Sequence, residues 1–205
     1  MNTNKINTVI FDLGGVLVNW NPRNLYRKIF TDEAEMEYFL THICTQEWNE
    51  CQDRGRSWEE GIALLSAQYP AYAPHIQAYY ERWTEMLNGT IDETVEILNS
   101  MKNQGIRVLA LTNWSAETFP IAETKFPFLQ LFEGIVVSGK EKMIKPEPEI
   151  FRLLFDRYQV NPQQAVFIDD VLKNVQAANQ LGIHGIQFIN TESLKVRLEE
   201  LGIRV

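Results

Sequence analysis

Six side chains of this chain are of types that serve phosphoryl transfer or ester chemistry, and five of them fall at equivalent places in the hydrophobic pattern. Asp12 closes the apolar run Val9, Ile10, Phe11 and is followed by Leu13, Gly14 and Gly15; Thr112 and Asn113 close the run 106–111; Asp169 and Asp170 close the run 165–168. Lys145 stands in the stretch MIKPEPEIF. Three carboxylates gathered at one point repel unless a cation offsets them, and an all-oxygen set suits a hard divalent ion, magnesium above all, which also binds substrate phosphate. A carboxylate left over can attack an electrophile. Gly14 and Gly15 leave backbone amides bare beside Asp12, a concavity suited to an anion or a metal-bound phosphate. Lys145 beside the carboxylates would neutralise a charged nucleophile and hold a transferring group. Singly, each has a plainer reading: the acids as turn residues or helix caps, the glycines as a breaker, the lysine as surface charge. The repetition at three run ends favours chemistry.

These groups meet only if the runs are strands of one parallel sheet, whose ends share an edge. Runs rich in β-branched residues, bounded by polar residues and glycine, predict buried strands at 9–11, 106–111, 135–137, 165–168 and 185–189. Helices are predicted between them. Thr90 with Glu93 reads as a capping box opening a helix with the stripe Val95, Leu98, Met101, and Gly105 ends it. A helix after Pro146 and Pro148 turns Ile150, Leu153, Leu154 and Tyr158 inward. Another carries Val175, Ala178 and Leu181 up to Gly182, with Asn174 supporting the acidic loop, and a closing helix spans 194–201. The segment 119–132 reads as an irregular aromatic connection. Strand and helix in alternation predict an α/β fold with a Rossmann-like parallel sheet covered by helices.

The segment from Val16 to Gly89 is different. Apolar residues recur there at three or four positions, predicting short amphipathic helices and no strands; Asp53, Arg54, Gly55 and Arg56 punctuate it. The expected organisation is a discontinuous core, 1–15 and 89–205, with a small helical cap inserted at 16–88. Most aromatics there are expected in its interior, with Trp20 and Trp48 as candidates for a cleft wall.

Composition bounds the function. A formal charge of -8 and a pI near 5.0 argue against nucleic acid or an anionic membrane as the partner. No apolar run is long enough to span a bilayer, and a basic leader is missing. Cys44 and Cys51 read as free thiols in a reducing, cytoplasmic setting. Gly134, Gly139 and Lys140 have P-loop spacing, but Glu141 stands where Ser or Thr is required. His42, His75 and His184 are scattered, so neither a histidine metal site nor a histidine-centred triad is expected.

FDLGGVL at 11–17, LTN at 111–113, IKPEPEIF at 144–151 and FIDDVLKNVQAANQLG at 167–182 together closely resemble the haloacid dehalogenase-like hydrolase superfamily, in order and spacing, across nearly the whole chain. The likeness is closest to the small-cap phosphatases acting on sugar phosphates, including glucose-1-phosphate phosphatases. It implies an aspartyl-phosphate on Asp12, with magnesium held by Asp12, the Gly14 carbonyl, Asp169 and Asp170. Thr112 and Asn113 would bind phosphoryl oxygens or order the loop, and Lys145 would balance charge. Trp20, Arg23, Trp48, Arg54 and Trp114 become candidate substrate contacts. The expected partner is a small phosphorylated molecule, and the chain is expected to act as a monomer or homodimer.

One position departs from the pattern. Most phosphatases of this superfamily carry a second Asp two residues after the nucleophile, as general acid and base. Here that position is Gly14. Either the substrate has a good leaving group, as a sugar 1-phosphate does, or a cap residue or water supplies the proton. The 2-haloacid dehalogenases also lack that Asp and remain an alternative, as does an inactive binding protein.

Overall fold

A computed structural model describes residues 5–204, so residues 1–4 and 205 of the expected core lie outside the described residues. The strands in chain order are β1 (Thr8–Phe11), β2 (Val18–Trp20), β3 (Leu87–Thr90), β4 (Arg107–Thr112), β5 (Gly134–Val137), β6 (Ala165–Asp169) and β7 (His184–Gln187). The helices are α1 (Arg23–Tyr26), α2 (Glu33–His42), α3 (Gln46–Asp53), α4 (Trp58–Gln68), α5 (Ala73–Glu81), α6 (Asp92–Asn103), α7 (Phe119–Lys125), α8 (Ser138–Glu141), α9 (Pro148–Tyr158), α10 (Leu172–Gln180) and α11 (Thr191–Glu200).

Among the described residues, five strands form one parallel sheet in the order β5-β4-β1-β6-β7. Side chains alternate across it. Val9, Phe11, Val108, Ala110, Val166 and Ile168 enter one apolar cluster, which continues into the inserted helices through Leu25, Trp58 and Tyr79. Ile10, Leu109, Leu111 and Phe167 enter the other, against Ile150, Phe151 and Leu154 of α9 and Ala178 of α10. Burial on both faces is why the strand sequences are unbroken apolar runs rather than alternating ones. The chain leaves β1 toward β4 and β5, then returns across it to β6 and β7. The order therefore reverses between β1 and β6, the place where such sheets open a crevice at the strand ends.

Several local expectations fail for identifiable reasons. Residues 16–89 are not free of strands: β2 and β3 pair antiparallel, Val18 with Thr90 and Trp20 with Leu87, and bring the two ends of the insertion together. They span three and four residues, with Asn19, Asn88 and Gly89 exposed, too short to display a period of two. Thr90 consequently belongs to β3 and caps nothing; Ile91 holds the N-cap position of α6 without a side-chain bond, while the Thr90 hydroxyl donates to Asp92. The buried stripe of α6 is Thr94, Ile97, Leu98 and Met101, with Val95 at its margin. On α9, Phe151 is buried and Leu153 and Tyr158 are half-buried. The connection 119–132 holds α7, with Pro120 in its first turn where its missing amide is harmless, and a 3-10 turn, Pro127–Leu131.

The insertion is built from helices that start on polar caps. Asp32, Thr45 and Ser57 accept bonds from the amides of Ala34, Trp48 and Glu60. Aromatic rings fill its interior, Trp48, Trp58 and Tyr79 lying 5.2 to 5.6 Å apart between centroids. It is fastened to the sheet edge by specific contacts. Trp58 Nε1 donates to Ser115 Oγ at 3.0 Å, and Ser138 Oγ donates to the Asp53 carbonyl at 2.6 Å. Arg54 pairs with Glu147 at 2.5 Å and Lys173 with Glu50 at 3.3 Å.

Candidate active site

The register of the central strands sets the first pair of acids side by side. Phe11 lies opposite Ile168, and one step further the Asp12 amide donates to the Ile168 carbonyl at 2.8 Å, so Asp12 stands level with Asp169. Asp12 Oδ1 accepts from the Leu13 amide at 2.7 Å. Asp169 is held by the Val171 amide at 2.8 Å and by Asn174 Nδ2, 3.0 and 3.1 Å from its two oxygens.

Lys145 reaches between them. Its ammonium lies 2.9 Å from Asp12 Oδ1 and 2.7 Å from Asp169 Oδ2, and the side chain is wholly buried. Its backbone is fixed from the end of β4: the Lys145 amide donates to Asn113 Oδ1 at 2.8 Å, and Asn113 Nδ2 donates to the Lys145 carbonyl at 3.0 Å. Asn113 therefore acts on the lysine's position. Truncating one partner of such a buried pair leaves a lone charge in a low dielectric, which costs far more than the intact pair contributes.

Asp12, Asp169 and Asp170 bring carboxylate oxygens within 4.8 Å of one another. With all three ionised and Lys145 charged, the group carries -3 + 1 = -2. Burial drives the Asp12 pKa up to about 7; Lys145 pulls it down, and Asp169 and Asp170 push it back up. Burial, then Asp169, likewise raises Asp170. For Lys145, burial opposes the charge, but Asp12 and Asp169 outweigh it and the pKa rises. The lysine stays an ammonium, and the excess negative charge makes the site receptive to a cation.

Gly15 adopts φ +73°, and a Cβ there would stand 2.5 Å from Asp170 Oδ2. Only glycine gives both the left-handed turn and the room for Asp170. A Cβ at Gly14 would meet nothing within 4 Å. Thr112 Oγ1 is buried and has no partner among the described residues.

A cavity of about 600 Å³ opens over these groups, floored by Asp12, Gly14, Asn113, Lys145 and Asp170. Its upper wall comes from the insertion, including Trp20, Arg23, Asn49 and Asp53. A recess of about 80 Å³ adjoins it, sharing Gly14, Trp20, Asn49, Asp53 and Asn113 and walled by Trp58, Trp83, Trp114 and Thr118. Trp114 Nε1 and Thr118 Oγ1, both buried, lack hydrogen-bond partners among the described residues.

The predicted contacts from the insertion divide. Trp20 and Arg23 line the large cavity, Arg23 also pairing with Glu37 at 2.6 Å, and Trp114 lines the recess. Trp48 is no cleft wall: it is buried among Trp58 and Tyr79, its Nε1 donating to the Gly61 carbonyl at 3.2 Å. Arg54 is half-exposed in its pair with Glu147 and borders neither cavity. Asp53, read from sequence as part of a polar break, borders both. Cys44 is buried and Cys51 exposed, both free. No helix among the described residues is long and apolar enough to cross a membrane.

A family model described as haloacid dehalogenase-like hydrolase matches residues 9–188. Sesquiterpene phosphatase astK of Aspergillus oryzae is 27% identical over 192 residues, covering 94% of each chain. N-acylneuraminate-9-phosphatase of Rattus norvegicus is 25% identical over 211 residues, 93% of this chain and 85% of that protein. In two further relatives the matching region is 19% and 36% of a longer protein. A HAD family enzyme of Bacteroides thetaiotaomicron, solved in complex with magnesium and inorganic phosphate, superimposes with a TM-score of 0.66 at 26% identity, covering 89% of this chain and 93% of that one.

Proposed function

Because this chain belongs to the haloacid dehalogenase-like hydrolase family and is a hydrolase on that ground, we propose that it cleaves phosphomonoesters through an aspartyl-phosphate on Asp12. The observation that carries this reading is the convergence of Asp12, Asp169 and Asp170 with the Lys145 ammonium set between Asp12 and Asp169. The phosphatase relatives and the magnesium and phosphate bound by a structural neighbour support it.

Magnesium suits this donor set, which is all oxygen and carries the -3 + 1 = -2 excess counted above. Asp12, the Gly14 carbonyl and Asp170 would hold it, with Asp169 behind them, its oxygens engaged by Lys145, Asn174 and the Val171 amide. Bound there, the ion supplies charge neutralisation at the phosphate oxygens. The rest falls to the chain. The Asp12 carboxylate attacks phosphorus, and Lys145 favours its ionised form, opposing the effect of its burial. The unpartnered Thr112 hydroxyl donates to a phosphoryl oxygen, and Asn113 holds Lys145 in place. Residues 16–88 act as a cap on a core of 1–15 and 89–205, excluding bulk water while the phosphoryl group is on Asp12.

The substrate class we assign is a small sugar phosphate. The cavity of about 600 Å³ suits a molecule of that size, and Arg23, Gln46, Asn49 and Glu50 offer donors and acceptors to hydroxyl groups. A sugar 1-phosphate asks least of the site, because its ring oxygen stabilises the departing alkoxide.

The test is phosphate release from a panel of sugar phosphates and an aryl phosphate, with magnesium or with chelator, for wild type and Asp12→Asn. Magnesium-dependent release that falls on the order of 10⁴-fold or more in the variant is expected. Release that survives Asp12→Asn overturns the aspartyl-phosphate. Silence on every phosphate with halide release from 2-haloacids replaces the reaction itself.

A further inference from the structure

Alkyl phosphates leave as poor alkoxides, and a proton must meet the leaving oxygen. Nothing at Gly14 can deliver it. Asp53, the last residue of α3, borders both the large cavity, with Asp12, Lys145 and Asp170, and the recess, with Gly14, Asn113 and Trp114. It thus lies, with Gly14 and Asn113, where the two cavities adjoin, on the cavity that Asp12, Lys145 and Asp170 also line. Its position is fixed. Its Oδ2 accepts from Asn49 Nδ2 at 3.0 Å, the Ser115 backbone amide also donates to its carboxyl, and its own carbonyl accepts from Ser138 Oγ at 2.6 Å.

We propose that Asp53 is the general acid that protonates the leaving-group oxygen and the general base that then deprotonates the attacking water, filling from the insertion the role left open at Gly14. This rests on the aspartyl-phosphate reading. In the first step an Asp12 oxygen bonds to phosphorus, the bond from phosphorus to the ester oxygen breaks, and that electron pair takes the Asp53 proton, so the alcohol leaves neutral. In the second, water bonds to phosphorus, its proton passes to the Asp53 carboxylate, and the Asp12 to phosphorus bond breaks back to a carboxylate. One water is consumed, and Asp53 ends as it began. With this acid present, sugar 6-phosphates become accessible as well as 1-phosphates.

The charges around Asp53 suit the task. Glu50 lies on its own helix, Asp12 and Lys145 face it from the sheet edge, and Tyr79 faces it from α5. On α8, Lys140 lies over the Phe119 ring and Glu141 pairs with Arg157. Burial raises Asp53 to about 7; Glu50 adds to this, the Ser115 amide opposes it, Asp12 adds and Lys145 opposes. A carboxyl so poised holds its proton near neutrality and can take it back.

Asp53→Asn separates this role from a structural one. Its kcat/KM on a sugar 6-phosphate is expected to fall on the order of 10²- to 10⁴-fold, while the first-turnover burst of p-nitrophenolate from p-nitrophenyl phosphate persists, since that leaving group needs no proton. Above about pH 7 the wild-type kcat/KM on the 6-phosphate is expected to fall with rising pH, because the acid must be protonated, and this descending limb is expected to vanish in Asp53→Asn. Adding Gly14→Asp, at the open position, is expected to restore turnover of the 6-phosphate. Asp12→Asn, run alongside, loses the burst; a burst that survives there overturns the underlying reading instead. With Asp12→Asn silent, equal losses of kcat/KM on both substrates in Asp53→Asn and also in Asp53→Ser, or no loss of kcat/KM on either, overturn the assignment of Asp53.

Discussion

The Thr112 hydroxyl is buried at the end of β4 and has no hydrogen-bond partner among the described residues. An orphaned hydroxyl is unfavourable for folding by about 1–3 kcal/mol, so an isosteric methyl there should not weaken the protein. Thr112→Val is expected to hold or raise the melting midpoint while lowering kcat/KM for phosphate release on the order of 10²- to 10³-fold; calorimetry beside steady-state kinetics checks both. A fall in stability with unchanged kinetics would assign the hydroxyl to the fold. At this scale the sequence is most legible where a residue breaks its surroundings. Asp12, Asp169 and Asp170 end apolar runs, where an acid needs a reason. Trp48 was misjudged because an aromatic on a short helix has the same type whether it faces a cleft or the interior of the insertion. Asp53 stayed hidden because an acid beside Arg54, Gly55 and Arg56 reads as a solvated turn, and only the packing of α3 against the sheet edge turns it inward.

The turn after β1 is the element on which the proposed cation ligands depend. Gly15 carries φ +73° and has Asp170 where its side chain would be, whereas Gly14 has open space. Gly15→Ala is expected to displace Asp170 and to raise the magnesium concentration for half-maximal activity about tenfold or more, read from a magnesium titration of phosphate release. Gly14→Ala is the control, with little change expected. Strands as a class were the best-read elements, because burial on both faces writes itself as continuous apolar sequence: Val9 to Phe11 and Ala165 to Ile168 are unmistakable. The β2–β3 pair left no such trace, since its partners are far apart in sequence and three of its seven residues are exposed. Thr90 carried a local helix-start signal that the pairing with Val18 overrode.

On the scale of the molecule, the insertion shares one apolar cluster with a face of the sheet and is clasped to the core by Arg54–Glu147, outside both cavities, and by Lys173–Glu50 at the rim of the larger one. Pairs this exposed contribute at most about 1 kcal/mol to stability, so their effect should appear in closure. Arg54→Ala and Glu147→Gln are each expected to raise KM severalfold with the melting midpoint nearly unchanged. Equal effects from the two mark a clasp; an effect from Arg54 alone would make that arginine a substrate contact. Both ends of the insertion pass through the β2–β3 ribbon, so everything between is exchangeable as one cassette. In a phosphatase with its acid two residues after the nucleophile, such an exchange alters what is bound and leaves the chemistry intact. In this chain Asp53 travels with the cassette. A foreign insert would carry off the proton donor together with the pocket, so selectivity and proton supply are inherited as a single trait, and the lineage can change one only by rebuilding the other.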